Sequence, residues 1–422
     1  MIATYRKVLD KILKSTFLKS SFYVSLSKLF SSICNLLFMI YAVNILTRNE
    51  NGFFQYYLGY LPLILAVAEF GLPTALVKYL SVHLENKKEI GNLLSASLII
   101  KLISFFLLCF IGGILALFFY QDGLVLFMLI IGGTTTSFLT FFESIFVAFR
   151  EYKLLAFWAP LGNFIKLTAL FIANNYSSVP LTHLDILGIF SLSPIFILSG
   201  FFFLFPSGKL YWSGEDEKRK ENLKKLALFN LWAFAASLFA IASDRLEIFF
   251  LKKFHNSEEV AIYGTALQLF SGFQIILSTL NSMLLPRLST LEKSEEFNKF
   301  LAKSILICLG IAILLSPGFF LAEFILNLLF NNKYADSIPV FKILYPNYLL
   351  QLVFAPMGVA LFAMGRPKIL AILAFIRLIF GYILDTMLIP EFGVVGAGTS
   401  FFLGQIVSWL VLFGYFWATL WR

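Results

Sequence analysis

Lys28, Lys101, Lys166, Arg245, Lys342 and Arg377 all stand inside runs of otherwise apolar residues. An ionised group at the centre of a bilayer costs about 2.5–3.5 kcal/mol on insertion scales, so each needs a polar cavity, a partner or an escape to the surface. Lys342 is near the end of its run and can snorkel. Lys166 and Arg377 lie near the middle of theirs and cannot. The neighbours extend the pattern. Ser21, Ser25, Lys28, Ser32 and Asn35 recur at steps of four and three, which keeps them on one helical face. Ser97, Lys101 and Ser104 form a second stripe, Asn163 with Lys166 a third, and Asn230, Ser237 and Asp244 beside Arg245 a fourth. One polar face on several apolar helices implies a shared hydrated lumen, and its basic surplus would attract anions. Lys28, Lys101, Lys166, Arg245, Arg377, Ser32 and Asn35 are the candidate substrate contacts.

Acidic side chains occupy similar places: Glu69, Glu143, Asp244, Glu247, Glu323 and Asp385. Thr136, Thr140 and Glu143 share a helical face, and Arg377 and Asp385 lie on one side of another helix. Two readings stay open. The charges pair between helices and lock the bundle, or the acids carry a coupling ion, for which Glu69, Glu143 and Asp244 are the candidates.

The elements that must hold these residues follow from composition. Of 422 residues 59% are apolar and only 14% charged, against roughly 45–50% and about 25% in an ordinary soluble domain. The runs are continuous and helix-length rather than alternating, which excludes a membrane β-barrel. At about 20 residues per crossing there is room for about twelve transmembrane helices. They are expected near 22–46, 54–77, 93–119, 124–148, 154–173, 186–206, 226–250, 260–285, 303–330, 338–363, 367–389 and 394–418. Residues 1–20 place Ile2, Tyr5, Leu9 and Ile12 opposite Arg6, Lys7, Lys11 and Lys14, an amphipathic segment suited to an anionic leaflet.

Lys/Arg bias sets the orientation. With the N-terminus in the cytoplasm, Arg48, Lys252, Lys253 and Lys333 are the cations left outside, and most others fall in inner loops. Both termini are therefore expected inside, and the net charge of +9 needs no nucleic acid to explain it. The polar stretch 207–225 reads as a cytoplasmic linker between six-helix halves at 21–206 and 226–422. A faint repeat supports the halves: LPTALVKYLS at Leu72–Ser81 matches LNSMLLPRLS at Leu280–Ser289 at four leucine or serine positions, as in transporters built by duplication.

Catalytic and cofactor signals are poor, and the chain does not read as an enzyme. There is no HExxH, P-loop or GxSxG. GVVGAG at Gly393–Gly398 opens a span with no preceding strand and reads as tight helix packing. Cys34, Cys109 and Cys308 lie in apolar runs without CxxC spacing, and His83, His183 and His255 are scattered, so no metal or cofactor is expected.

An ordered set of motifs then carries a resemblance. ILTRNENGFFQYY (Ile45–Tyr57) leads to AEFGLPTALVKYLS (Ala68–Ser81), followed by SDRLEIFFL (Ser243–Leu251), VAIYGTALQL (Val260–Leu269), LLPRLS, GRPK and EFGVVGAG (Glu391–Gly398). Over essentially its whole length the chain resembles the Wzx-type polysaccharide flippases of the multidrug/oligosaccharidyl-lipid/polysaccharide exporter superfamily. The resemblance implies an all-α integral membrane protein of the bacterial inner membrane, with two six-helix bundles forming a V around a central cavity. It implies alternating access driven by an ion gradient. The implied cargo is an oligosaccharide repeat unit, as of O-antigen, on undecaprenyl pyrophosphate. Partners would be membrane lipids, a polysaccharide polymerase and a chain-length regulator. Lumenal Lys and Arg suit a pyrophosphate in a low-dielectric site. The alternative is an ion-coupled drug or metabolite exporter of the same fold, which would be expected to use lumenal carboxylates.

Overall fold

The computed structural model describes residues 16–83, 86–118, 120–149, 151–204, 222, 231–232, 234–291 and 295–418. Most of the amphipathic segment 1–20 and all of the linker 207–225 except Asn222 lie outside the described residues. Among the described residues there is no strand. The first half supplies α1 (Thr16–Ile45), α2 (Arg48–Glu69), α3 (Leu72–Val82), α4 (Lys87–Phe118), α5 (Tyr120–Ala148), α6 (Tyr152–Tyr176) and α7 (His183–Leu204). After a helical run at 234–243 come α8 (Leu246–Phe254), α9 (Ser257–Leu269), α10 (Ser271–Thr290) and α11 (Glu295–Leu315). A short 3-10 turn at Ser316–Phe319 leads to α12 (Ala322–Phe330), α13 (Ser337–Ala363) and α14 (Pro367–Phe416).

Among the described residues eight helices are long and apolar enough to cross a membrane. Each expected span overlaps a helix, but several are broken. The span expected at 54–77 divides into α2 and α3 at Phe70 (φ 47°) and Gly71 (φ 66°). That at 226–250 breaks at Asp244–Arg245, and that at 260–285 at Phe270. Conversely the last two expected spans run together as the 50-residue α14, with Gly393 the non-helical residue inside it (φ 52°, ψ −130°).

Local chemistry sets these limits. Asn256 caps α9 by accepting the Glu259 N–H at 3.0 Å, and Glu258 and Glu259 place negative charge in its first turn. Lys252 and Lys253 sit in the last turn of α8, where the carbonyl end of the helix favours cations. Asn331 ends α12 in the left-handed conformation, which asparagine tolerates. Hydroxyls inside the spans are satisfied locally: Thr134, Thr135 and Thr136 donate to carbonyls four residues back. Ile103, Phe106, Phe110 and Leu117 form an exposed face of α4, as expected for a helix solvated by lipid.

The chain packs as two compact units. One comprises Met1–Phe38, Ala68–Val179 and Gly188–Asn230, the other Met39–Val67, Pro180–Leu187 and Leu231–Arg422. The first is built on Leu76, Leu80, Leu94, Phe141, Ile145 and Trp158. The second is built on aromatic stacking, with the Phe270 ring 4.8 Å from Phe341 and 4.2 Å from Tyr348, each such pair worth about 0.5–1.5 kcal/mol beyond its area.

Candidate functional site

In the first unit the break between α2 and α3 is the focus. Helix breaks free backbone carbonyls, and in hydrocarbon each needs a donor. Lys101 on α4 supplies one. Its ammonium donates to the Ala68 carbonyl at 3.0 Å and to the Ser137 hydroxyl of α5. It is only 2% exposed, so it faces the break and not a lumen. Next to it the Glu69 carboxylate accepts from Thr140 at 2.8 Å, and its charge reaches Lys101. Glu143, one helical turn along α5, feels the charges of Lys28 and Glu69. The expected Thr140/Glu143 face and the stripe residue Lys101 thus meet in one mixed-charge network.

Lys28, Ser32 and Asn35 remain accessible along α1, Lys28 exposed and the other two half-buried. The flanking polar groups are used in packing: Ser27 donates to the Ala156 carbonyl at 2.5 Å, and the Asn163 amide bonds Ser31 at 2.9 Å. Lys166 sits 4.2 Å from the centre of the Phe190 ring, a cation–π contact that partly offsets lost hydration. Among the described residues no carboxylate bridges it.

The second unit holds a different constellation. Arg377 on α14 meets Asp244 at 2.6 Å and lies 5.1 Å over the Phe401 ring. Glu247 and Asp385 are buried, and their charges interact with each other; those of Arg377 and Asp244 also reach Glu247. Arg245, half-buried at the N-cap of α8, acts on the neighbouring Tyr348. Several buried acceptors here have no hydrogen-bond partner among the described residues: both Asp385 carboxylate oxygens, Glu247 Oε2, Asn347 Oδ1 and Gln405 Oε1. Ser400 lies beside Asp385 without the alignment of a full hydrogen bond. Buried acceptors left this way are costly.

The sequence expectations are therefore redistributed. Of the two arginines expected as substrate contacts, Arg377 is held by Asp244 beside Glu247 and Asp385, because an arginine this deep is held most cheaply by an acid, and half-buried Arg245 adjoins Tyr348. Lys101 is likewise held by a carbonyl and a serine. Glu247 and Asp385 stand among the intramembrane acids of the sequence but not among its coupling-ion candidates Glu69, Glu143 and Asp244. The signal for Glu247 was present: Asp244 and Glu247 stand three apart in SDRLEIFF, hence on one helical face. Nothing in GYILDTML pairs Asp385 with another helix.

The family model described as "Polysaccharide biosynthesis protein" matches residues 17–292. A Staphylococcus aureus protein named "Capsular polysaccharide biosynthesis protein CapF" is 26% identical over 93% of this chain and 97% of its own length. A Shigella flexneri protein whose name proposes O-antigen transport is 22% identical over 82% of this chain and 85% of its own. Among solved structures, an inward-facing multidrug resistance MATE family transporter of the MOP superfamily superimposes with TM-score 0.71 at 14% identity, covering 91% of this chain and 93% of that one. The lipid II flippase MurJ in an inward closed conformation gives 0.68 at 14%, covering 93% and 87%. The chain is a multi-pass membrane protein that belongs to the polysaccharide biosynthesis protein family and carries the fold of the MATE and lipid II flippase transporters.

Proposed function

We propose that the protein flips lipid-linked oligosaccharide repeat units, carried on undecaprenyl pyrophosphate, across the bacterial cytoplasmic membrane by alternating access. The termini are inside, and residues 21–206 and 226–422 act as two six-helix halves. The observation that carries this reading is Lys166: an ammonium at mid-helix resting on an aromatic face. A cation with no acid of its own among the described residues is ready for an anionic group, and phosphate is the strongest such partner. Lys28, Ser32 and Asn35 line α1 in the same unit and supply a second charge and sugar-binding hydroxyl and amide groups. The lipid tail stays in the bilayer while the head crosses. A polymerase and a chain-length regulator would take the product on the far side.

Energy enters through the second unit. A cation bound among Asp385, Glu247 and Asp244 would satisfy the unpartnered acceptors and compete with Arg377 for the carboxylates. Glu69 and Glu143, already engaged with lysines in the first unit, are the less suited carriers.

The test is surface polysaccharide in cells carrying Lys166→Ala, Lys28→Ala or both. The single variants should lower it and the double abolish it, with protein level unchanged, while Lys166→Arg retains function. Normal export by the double variant would end the reading. The carboxylate excess of the second unit favours one other reading, an exporter of organic cations. Drug susceptibility that rises in a deletion strain with intact surface polysaccharide would establish it instead.

A further inference from the structure

The glycine motif that opens at Gly393 marks a fold of α14 back on itself. A straight helix would hold Gly381 and Gly404 about 35 Å apart, yet a methyl group at Gly404 would stand 3.9 Å from the Gly381 Cα. Closer to the bend, a methyl group at Gly396 would overlap the Leu388 carbonyl. Between these two contacts lie Asp385 on the first arm and Ser400 on the second. The register of the arms therefore decides whether Asp385 and Ser400 face each other. Gly393 itself, at φ 52° and ψ −130°, takes a conformation that larger residues resist.

The turn between α8 and α9 grips both sides of this bend. His255 Nε2 lies 2.7 Å from the Ile389 carbonyl, and a carbonyl only accepts, so this nitrogen carries the proton and donates. Glu259 accepts the Val394 N–H at 3.0 Å. The two contacts match the helix ends they meet: a donor on the carbonyl end of the first arm, a carboxylate on the amide end of the second. Glu259 stands three residues after the N-cap Asn256, where a glutamate ordinarily reaches back to its own cap. Here one carboxylate oxygen goes to Val394 instead, and a Cβ on Gly393 would collide with it.

Apolar packing draws these segments together without prescribing their register. Ile389, Val260 and Ala397 share one core with Tyr263 and Tyr348, but apolar attraction is non-directional. A hydrogen bond has a preferred length and angle, and one to a carboxylate is about twice as strong as a neutral one. Ile389 lies one helical turn beyond Asp385 on the same arm, so the His255 contact acts within a single turn of that carboxylate. We propose that His255 and Glu259 are positioning residues: by holding both sides of the α14 bend they keep Asp385 opposite Ser400 and set the affinity of that site for its cation. This rests on the cation site of the proposed function. Both residues act through the backbone of α14, outside the cluster of Asp385, Glu247 and Asp244.

The experiment uses the purified full chain in detergent, with sodium chloride as the probe and choline chloride at equal ionic strength as the control. Melting temperature is followed against sodium, and amide hydrogen exchange is read in peptides covering 386–397. Sodium should raise the wild-type melting temperature and leave that of Asp385→Asn unmoved. Glu259→Ala and His255→Ala should need severalfold more sodium for the same rise, and should exchange faster at 386–397. Glu259→Gln and His255→Gln, which keep an acceptor and a donor, should stay near wild type on both counts. Alanine variants that are less stable but keep the wild-type sodium midpoint would overturn the positioning role. Wild-type protein indifferent to sodium would instead overturn the cation site of the proposed function, and the positioning role with it.

Discussion

Arg377 and Asp244 stand 2.6 Å apart, but they are not equally buried: the arginine side chain is 10% exposed and the aspartate 46%. The guanidinium therefore depends on its partners more than the aspartate does, and it is also the cation whose charge reaches buried Glu247. Replacing Arg377 with Gln leaves neighbouring acids without that counter-charge. Removing one partner of a buried pair costs on the order of 3–5 kcal/mol, and partial solvation of Asp244 reduces this. A clear fall in melting temperature in detergent is expected. Adding Asp385→Asn to Arg377→Gln should recover part of the loss, because it removes a buried negative charge. Additive losses in the double variant would contradict that coupling.

Lys101 and Lys166 both read as substrate contacts in the sequence, and the structure separates them. Lys101→Met removes the donor to Ala68 and Ser137 and strands a buried carbonyl, which costs about 1–3 kcal/mol. Lower thermal stability and a lower protein level are expected. Lys166→Ala should leave both near normal and remove export. Quantitative immunoblots alongside surface polysaccharide make the distinction, and the opposite pattern would reverse the assignments.

Gly52→Ala tests the close approach of α2 to the start of α9. The methyl group would overlap the Ser257 carbonyl, and backbone cannot swing aside like a long side chain. Overpacking of this kind costs about 1–3 kcal/mol. A lower melting temperature in detergent is expected in this variant. Gly59→Ala serves as a control, since ordinary contacts with Ile248 and Phe249 await its Cβ.

The Glu50 contact fixes the sign of a pH effect. Burial alone would raise the carboxyl's pKa, but the His183 backbone N–H, its ring and its charge hold it below the ordinary value. A carboxylate depressed in the folded state contributes stability that is complete above its unfolded pKa, about 4.3 for glutamate. That stability is lost as pH falls through the lowered value. Through this group, stability in detergent should stay flat from pH 7 to about 5 and fall in stronger acid. Glu50→Gln should shrink that acid loss. An unchanged loss in that variant would place the titrating group elsewhere.

Much of the fold was legible because hydrocarbon demands long apolar runs, and every expected span overlaps a helix. The breaks were less so. Phe70 adopts φ 47° although it is neither glycine nor asparagine, and a lysine on another helix bonds the carbonyl two residues earlier. No local spacing announces such a partner. Periodicity correctly gathered Lys28, Ser32 and Asn35 on one face of α1. It could not say whether a buried cation faces cargo or protein, since both need the same polar stripe. That difference lies in which helix is opposite: Ser137 and Ala68 for Lys101, an aromatic ring for Lys166, and Asp244 for Arg377.

The chain passes from one unit to the other within α1, between Phe38 and Met39, and back between Val67 and Ala68, close to the α2–α3 break. Residues 39–67 are thus encoded with one half of the chain and pack with the other. Chimeras that exchange halves between relatives at 207–225 would graft this hairpin onto a foreign surface. Cargo preference measured on such hybrids would be confounded by mismatched packing inside that second unit, unless the donor of residues 231–422 also supplied 39–67 and 180–187.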